Sequence, residues 1–291
     1  MTGRRASAGA LLAGLLATTA AAESAVERGR YLAAAAGCAS CHTADAEEAT
    51  PFAGGRALVS DFGTFYAPNI TPDRATGIGT WSDTDFLTAL HAGRSPDGRA
   101  YFPAFPYPAY TGMSRADALA IKAFLFSLPA VRQANRPHEL PWYLELVPAA
   151  YGWQWLFFQP GRYVADPGRS TQWNRGAYLV RHLGHCGECH TPRTALGVLR
   201  ADEELAGNPR GPEGRRVPNI TPHATDGIGA WSGSDVETLL EIGMLPDGDF
   251  AGAGMGQVID DNTSQLTPAD RQAIVVYLQS LPPRPSLGTT P

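Results

Sequence analysis

The sequence predicts an all-α protein built as two tandem domains of similar plan, and three observations carry that prediction. The pentapeptide C-x-x-C-H occurs twice, as Cys38-Ala39-Ser40-Cys41-His42 and Cys186-Gly187-Glu188-Cys189-His190. The chain repeats itself at an offset of 150. Ala67-Pro68-Asn69-Ile70-Thr71-Pro72 returns as Val217-Pro218-Asn219-Ile220-Thr221-Pro222. Gly77-Ile78-Gly79-Thr80-Trp81-Ser82 returns as Gly227-Ile228-Gly229-Ala230-Trp231-Ser232, and Pro96-Asp97-Gly98 as Pro246-Asp247-Gly248. Helix-start signals stand at matched places in both copies. A period this long marks a duplicated domain rather than a solenoid of short repeats.

The elements follow in order. Arg4 and Arg5, the apolar run Ala10 to Ala17 and the small residues Ala20-Ala21-Ala22 predict a secretory signal over 1–22, cut before Glu23. The run is short for a membrane span. The first domain is then 23–130. Ser24-Ala25-Val26-Glu27 reads as a capping box that opens a helix through Arg28, Gly29, Tyr31 and Leu32. The first C-x-x-C-H follows, then Gly- and Pro-rich loops able to wrap a flat cofactor. Ser82 caps a middle helix to about Ala92, and Ser114 to Asp117 caps a last helix that the next proline stops. A linker over 131–172 contains Trp142, Trp153, Trp155, Phe157 and Phe158. Its Pro141, Glu145, Pro148 and Gln154 argue against spanning hydrocarbon, so it reads as an aromatic bridge packed between domains. The second domain, 173–284, opens near Trp173, with Gly176 and Tyr178 matching Gly29 and Tyr31. A Gly beside an aromatic suits a close helix crossing. Its middle helix is capped by Ser232, its last helix runs from Thr267 to Leu281, and 285–291 is a tail.

The pentapeptide spacing is that of covalent c-type haem attachment: two thiols add across the vinyl groups of one haem, and the adjacent His ligates iron. The four cysteines of the chain are all used, Cys38 and Cys41 for one haem, Cys186 and Cys189 for the other. A zinc ribbon would keep its two knuckles close in sequence, and a thioredoxin-like motif would need a βαβ context. Two covalently bound haems c are therefore expected, with His42 and His190 as proximal ligands. For the second haem, Met255 in the loop Gly252-Ala253-Gly254-Met255-Gly256 is the preferred distal ligand, since a thioether excludes small ligands and raises the potential. Subtracting the offset from Met255 lands on Phe105, which cannot ligate. Three arrangements stay open for the first haem: Met113 as ligand, His91 as ligand, or a five-coordinate iron covered by Phe105. Met113 also corresponds to Leu266, which suggests a hydrophobic-staple role. His182 and His185, around the second motif, read as poor ligand candidates, His185 as solvated or touching a propionate.

A first helix, C-x-x-C-H, wrapping loops, a middle helix and a last helix make the cytochrome c pattern. The chain resembles the multihaem cytochrome c subunits of periplasmic dehydrogenases of the alcohol and gluconate dehydrogenase type. The resemblance rests on Ala67 to Pro72, Pro106-Tyr107-Pro108-Ala109-Tyr110, Trp173-Asn174-Arg175-Gly176-Ala177-Tyr178-Leu179, Gly184-His185-Cys186 through His190-Thr191-Pro192-Arg193, and Phe157-Phe158-Gln159-Pro160-Gly161-Arg162. It implies electron transfer from a dehydrogenase subunit to another cytochrome, a quinone system or an oxidase, and it supports Met255. Many such subunits carry a third haem and a C-terminal anchor. The two units and Pro-rich tail here predict a soluble periplasmic shuttle with at most peripheral membrane contact. The competing reading is a dihaem oxidoreductase, of peroxidase or thiosulfate type, acting at an open first haem. Without the signal the chain has 21 basic against 28 acidic residues, a formal charge of −7. That balance disfavours nucleic acid as a partner.

Overall fold

The computed structural model describes residues 24–145 and 148–286; the predicted signal lies outside them. The first copy consists of helix α1 (24–35), α2 (Cys38–His42), a hairpin of β1 (Ala57–Ser60) and β2 (Gly63–Tyr66), α3 (Asp83–Ala92), α4 (Tyr107–Tyr110) and α5 (Arg115–Ser127). Two helices follow, α6 (Trp142–Glu145) and α7 (Pro148–Phe157). The second copy has α8 (Thr171–Tyr178), α9 (Gly187–His190), α10 (Gly233–Ile242), α11 (Ala253–Asp261) and α12 (Pro268–Gln279).

The fold is mostly helical, and the all-α expectation is corrected by the hairpin. Ala57 pairs with Tyr66 and Ser60 with Gly63 in antiparallel register. The segment read as wrapping loop alternates β-favouring residues (Val59, Thr64, Phe65, Tyr66) around a tight turn, and Gly63 takes φ 112° there.

Helix starts are fixed by side-chain caps. Ser82 and Ser232 each form a full capping box with the Asp three residues on, opening α3 and α10. Ser114 and Thr267 accept from the backbone N–H of Asp117 and Asp270 to open α5 and α12. Two predicted starts move. Ser24 lies inside α1 rather than ahead of it. The second copy opens at Ser170, whose hydroxyl accepts from Trp173 N–H, so its helix begins two residues before the predicted place.

In each copy the first helix crosses the last at a glycine. A Cβ on Gly29 would stand 1.8 Å from the Ala120 carbonyl oxygen, and one on Gly176 would stand 1.9 Å from that of Ala273. Only hydrogen fits at either crossing. Between Gly176 and Cys186 the second copy has one residue more than the first has between Gly29 and Cys38. That residue is absorbed by a π turn, Leu179–Leu183, that follows α8.

The core runs continuously through both copies. It includes Leu32, Leu90, Ile121 and Leu125 from the first and Leu179, Leu183, Leu240 and Leu278 from the second.

Candidate haem-attachment site

Both motif histidines are held in the same way. His42 Nδ1 is 2.7 Å from the Pro68 carbonyl oxygen, and His190 Nδ1 is 2.7 Å from that of Pro218. A ring nitrogen facing a carbonyl must carry the proton, which leaves the Nε2 lone pair free for iron. Burial lowers the pKa of both rings and keeps them neutral, against the opposing pull of that carbonyl.

The carbonyls are fixed by the repeated Pro-Asn-Ile-Thr string. Asn69 Oδ1 accepts from both the backbone N–H and the hydroxyl of Thr71, while its Nδ2 donates to the Val131 carbonyl. Asn219 does the same with Thr221 and the Arg284 carbonyl. Pro68, Asn69, Pro218 and Asn219 orient the two motif histidines, and reasoning from residue types missed them. Their signal was the recurrence itself.

The four cysteines are free and form no disulfide. Burial pushes the Cys38 and Cys186 thiols up to about 12 and Cys189 to about 11. Thiols held neutral, paired at this spacing and next to a His with a free Nε2 suit thioether attachment of a porphyrin. Among the described residues no group of acidic, His and Cys side chains forms a metal-binding cluster of the zinc kind.

The two motifs share one interface. α11, which carries Met255, packs on α2 of the first copy. Ser40 Oγ donates to Asn262 Oδ1 at 2.9 Å, and Arg56 donates to Gln257 Oε1 at 2.6 Å. In the other direction, Tyr110 of α4 donates to the Ala36 carbonyl at 2.6 Å, and its ring meets His185 edge-on at 5.4 Å. His185 is thus half-buried rather than solvated. His182 is also packed, with Nδ1 3.0 Å from the Ala109 carbonyl oxygen. Cys41 and Cys189 are near enough that charge on one raises the pKa of the other.

The methionines stand apart in kind. Met255 lies in the first turn of α11, not in an open loop as expected, and is half-buried. The Gly residues around it do not prevent a helix, because Gly252 begins it in extended backbone. Met113 is fully buried, one residue before the cap of α5. Met244 is 37% exposed. Phe105 sits in an aromatic group with Tyr101, Tyr107 and Tyr110. His91 hydrogen-bonds the Met113 carbonyl, and burial, with Arg162 adding, holds its pKa down to about 4. In the second copy Arg271 donates to the matching Leu266 carbonyl and pairs with Glu241, the counterpart of His91. His91 thus stands where Glu241 pairs with Arg271 in the other copy, and among the described residues its Nε2 has no hydrogen-bond partner.

Residues 26–129 match the family model described as Cytochrome c. A protein named diheme cytochrome c-type, from Cereibacter sphaeroides, is 43% identical over 259 residues, covering 88% of this chain and 85% of that protein. This chain belongs to the dihaem c-type cytochromes. It carries two covalently bound haem c groups. The gluconate 2-dehydrogenase cytochrome c subunit of Pantoea cypripedii and the fructose dehydrogenase cytochrome subunit of Gluconobacter japonicus are each 38% identical. These cover 88% and 91% of this cytochrome, which spans 59% and 54% of their own lengths. Among the described residues no helix of the dihaem cytochrome is long and apolar enough to cross a membrane.

Proposed function

We propose that this cytochrome is a periplasmic electron relay: it accepts electrons singly from a dehydrogenase subunit and passes them to another cytochrome, a quinone system or an oxidase. It acts as a transfer subunit and not as a stand-alone catalyst. In this reading 23–130 and 173–284 each hold one haem, through Cys38, Cys41 and His42 and through Cys186, Cys189 and His190, with 131–172 as the linker. The observation that carries it is the shared interface, in which the motif of each copy lies against the other copy's distal segment. Such an arrangement suits direct transfer between the two centres. Relatives named as dehydrogenase cytochrome subunits support a dehydrogenase as donor.

Met255 is proposed as the distal ligand of the second haem. For the first we carry Met113, the only methionine between Met1 and Met244. A second reading is a five-coordinate first iron beneath Phe105. It is favoured by the staple-like burial of Met113, where the second copy has Leu266. Single-variant spectroscopy decides between them. Met255→Ala should abolish the sulfur-to-iron charge-transfer band of one haem, and Met113→Ala that of the other. An unchanged spectrum in Met113→Ala, together with a high-spin resonance in the parent protein, would establish the five-coordinate alternative. The relay itself is tested by mixing the oxidised protein with the dehydrogenase that co-purifies with it. Reduction of both haems at the dehydrogenase turnover rate is expected, and a protein reduced only by dithionite would refute it.

A further inference from the structure

We propose that the exposed apolar face formed by Ile242, Met244 and Phe250 docks a short aromatic helix with a basic flank, presented by a partner protein. The duplicated architecture is the basis. In the first copy the equivalent hairpin, 92–101, is covered by α7. Gln154 Nε2 donates to the Gly93 carbonyl at 2.8 Å, the Tyr151 hydroxyl donates to the Gly98 carbonyl at 2.8 Å, and the Arg94 guanidinium lies 4.4 Å from the centre of the Tyr151 ring. The second copy rebuilds that socket in its backbone. Arg94 bridges Ala100 and Met244 bridges Phe250, each as an antiparallel pair. Gly93 and Gly243 take φ 61° and 79°, and Gly98 and Gly248 take 84° and 88°.

The side chains differ while the socket persists. Ala92, Arg94 and Ala100 become Ile242, Met244 and Phe250, which are 56%, 37% and 60% exposed. Two larger apolar groups, Ile242 and Phe250, and an uncharged Met244 in place of an arginine have thus been placed where a helix is seated in the other copy, and all three are exposed. Isolated exposed apolar residues are ordinary, but a contiguous group on a preformed seat marks an interaction surface. Its rim is acidic: Asp247 and Asp249 flank the patch, and neither is in an ion pair among the described residues. Arg94 and Arg99 stand at the corresponding places for Met244 and Asp249 in the covered copy. The complement of this rim is a basic flank, and the complement of the socket is a helix that presents a hydrogen-bond donor to the Gly248 carbonyl. The Ala251 N–H donates to the Gly243 carbonyl at 2.8 Å, and the hairpin then runs directly into α11. A partner seated here would lie beside the helix that carries Met255. That the partner is a redox protein rests on the relay reading; the docking does not.

The test uses full-length, haem-loaded protein and a defined probe. The probe is a fluorescein-labelled, hydrocarbon-stapled peptide of residues 148–158, which keeps Tyr151 and Gln154 at their spacing, extended by two lysines. Anisotropy should show saturable binding. Phe250→Asp and Met244→Asp should each weaken it at least about tenfold, as expected for the centre of an interface. Asp247→Asn with Asp249→Asn should flatten its salt dependence. Val59→Asp, at an exposed apolar position of the other copy, should leave it unchanged. Unaltered circular dichroism and haem absorption would show that the variants fold. The proposal is overturned by no binding to the parent protein, or by equal binding to Phe250→Asp. It is also overturned if Phe250→Asp abolishes a concentration-dependent dimer, which would make the occupant a second copy, or abolishes sedimentation with anionic vesicles, which would make it lipid. Failure of electron relay with intact peptide binding would refute the function and leave the dock standing.

Discussion

Removing one phenolic oxygen, in Tyr178→Phe, tests how the two copies are held together. The last helices α5 and α12 begin with S-x-x-D and T-x-x-D, the same pattern that closes as a capping box on α3. There Ser82 N–H donates directly to Asp85 at 2.8 Å. On α5 the reciprocal bond is opened, and a tyrosine from the other copy is inserted. Ser114 N–H donates to the Tyr178 hydroxyl at 3.0 Å, which donates in turn to Asp117 Oδ2 at 2.7 Å. The mirror relation holds on α12, where Thr267 N–H donates to Tyr31 at 3.2 Å and Tyr31 donates to Asp270 at 2.5 Å. Arg28 and Arg175 complete the two carboxylates.

Tyr178 and Asp117 are buried, so the lost bond is one to a charged group away from water, worth about 1.5–3 kcal/mol. Ser114 N–H can close back onto Asp117 and recover part of that, as Ser82 does, which leaves an expected loss of about 2 kcal/mol. Urea unfolding of haem-loaded protein, followed by circular dichroism at fixed slope, measures it. Burial raises the Asp117 pKa, but hydrogen bonds from Tyr178 and Arg28 outweigh it and hold the carboxyl below its ordinary range. A depressed folded pKa stabilises fully above the unfolded value of about 3.9 and ceases to do so as pH falls through the folded one. The difference between parent and variant should therefore be constant from about pH 7 to 5 and shrink below about 4. A midpoint shift equivalent to less than about 0.5 kcal/mol at neutral pH would refute the idea that these tyrosines lock the copies.

The remaining expectations are brief. Gly176→Ala must push α8 off α12, because no side chain moves a backbone carbonyl 1.9 Å away; a loss above about 3 kcal/mol is expected by the same urea method, and tolerance of alanine would contradict the crossing. Asn219→Ala releases the Pro218 carbonyl without touching a ligand. It should lower the second haem's stability to denaturant by about 1–3 kcal/mol and shift its potential in a redox titration while leaving the first haem's unchanged. Cys186→Ser with Cys189→Ser should remove the mass of one haem from the intact protein, and retention of two would overturn the attachment assignment.

Much of the site was legible in the chain alone, because covalent attachment demands adjacent residues. Two thiols and a histidine must lie within one turn, so the pentapeptide is a local signal. The one-residue excess between Gly176 and Cys186 was equally open to counting, and it becomes the π turn. The hairpin at 57–66 was hidden because its glycine and short length also suit a loop, and only pairing across the turn distinguishes them. Met255 was placed in a loop because glycines around it lower helix propensity, yet packing on the first copy's motif outweighs propensity. The linker aromatics were read as packed between domains. Trp153 does reach across to the Leu196 carbonyl, but Trp142 and Trp155 are 74% and 84% exposed.

The sequence by itself carried the plan: the two C-x-x-C-H motifs proposed to tether haem, that the unit is written twice, and where most helices start. Those are properties of neighbours along the chain. Only the tertiary structure decided how one copy meets the other: that each motif lies against its counterpart's distal segment, that a tyrosine of each copy opens the helix cap of the other, and that one of two equivalent seats is filled. Such relations join residues separated by 60 to 240 positions, and nothing in local spacing encodes which of many possible partners will be in reach.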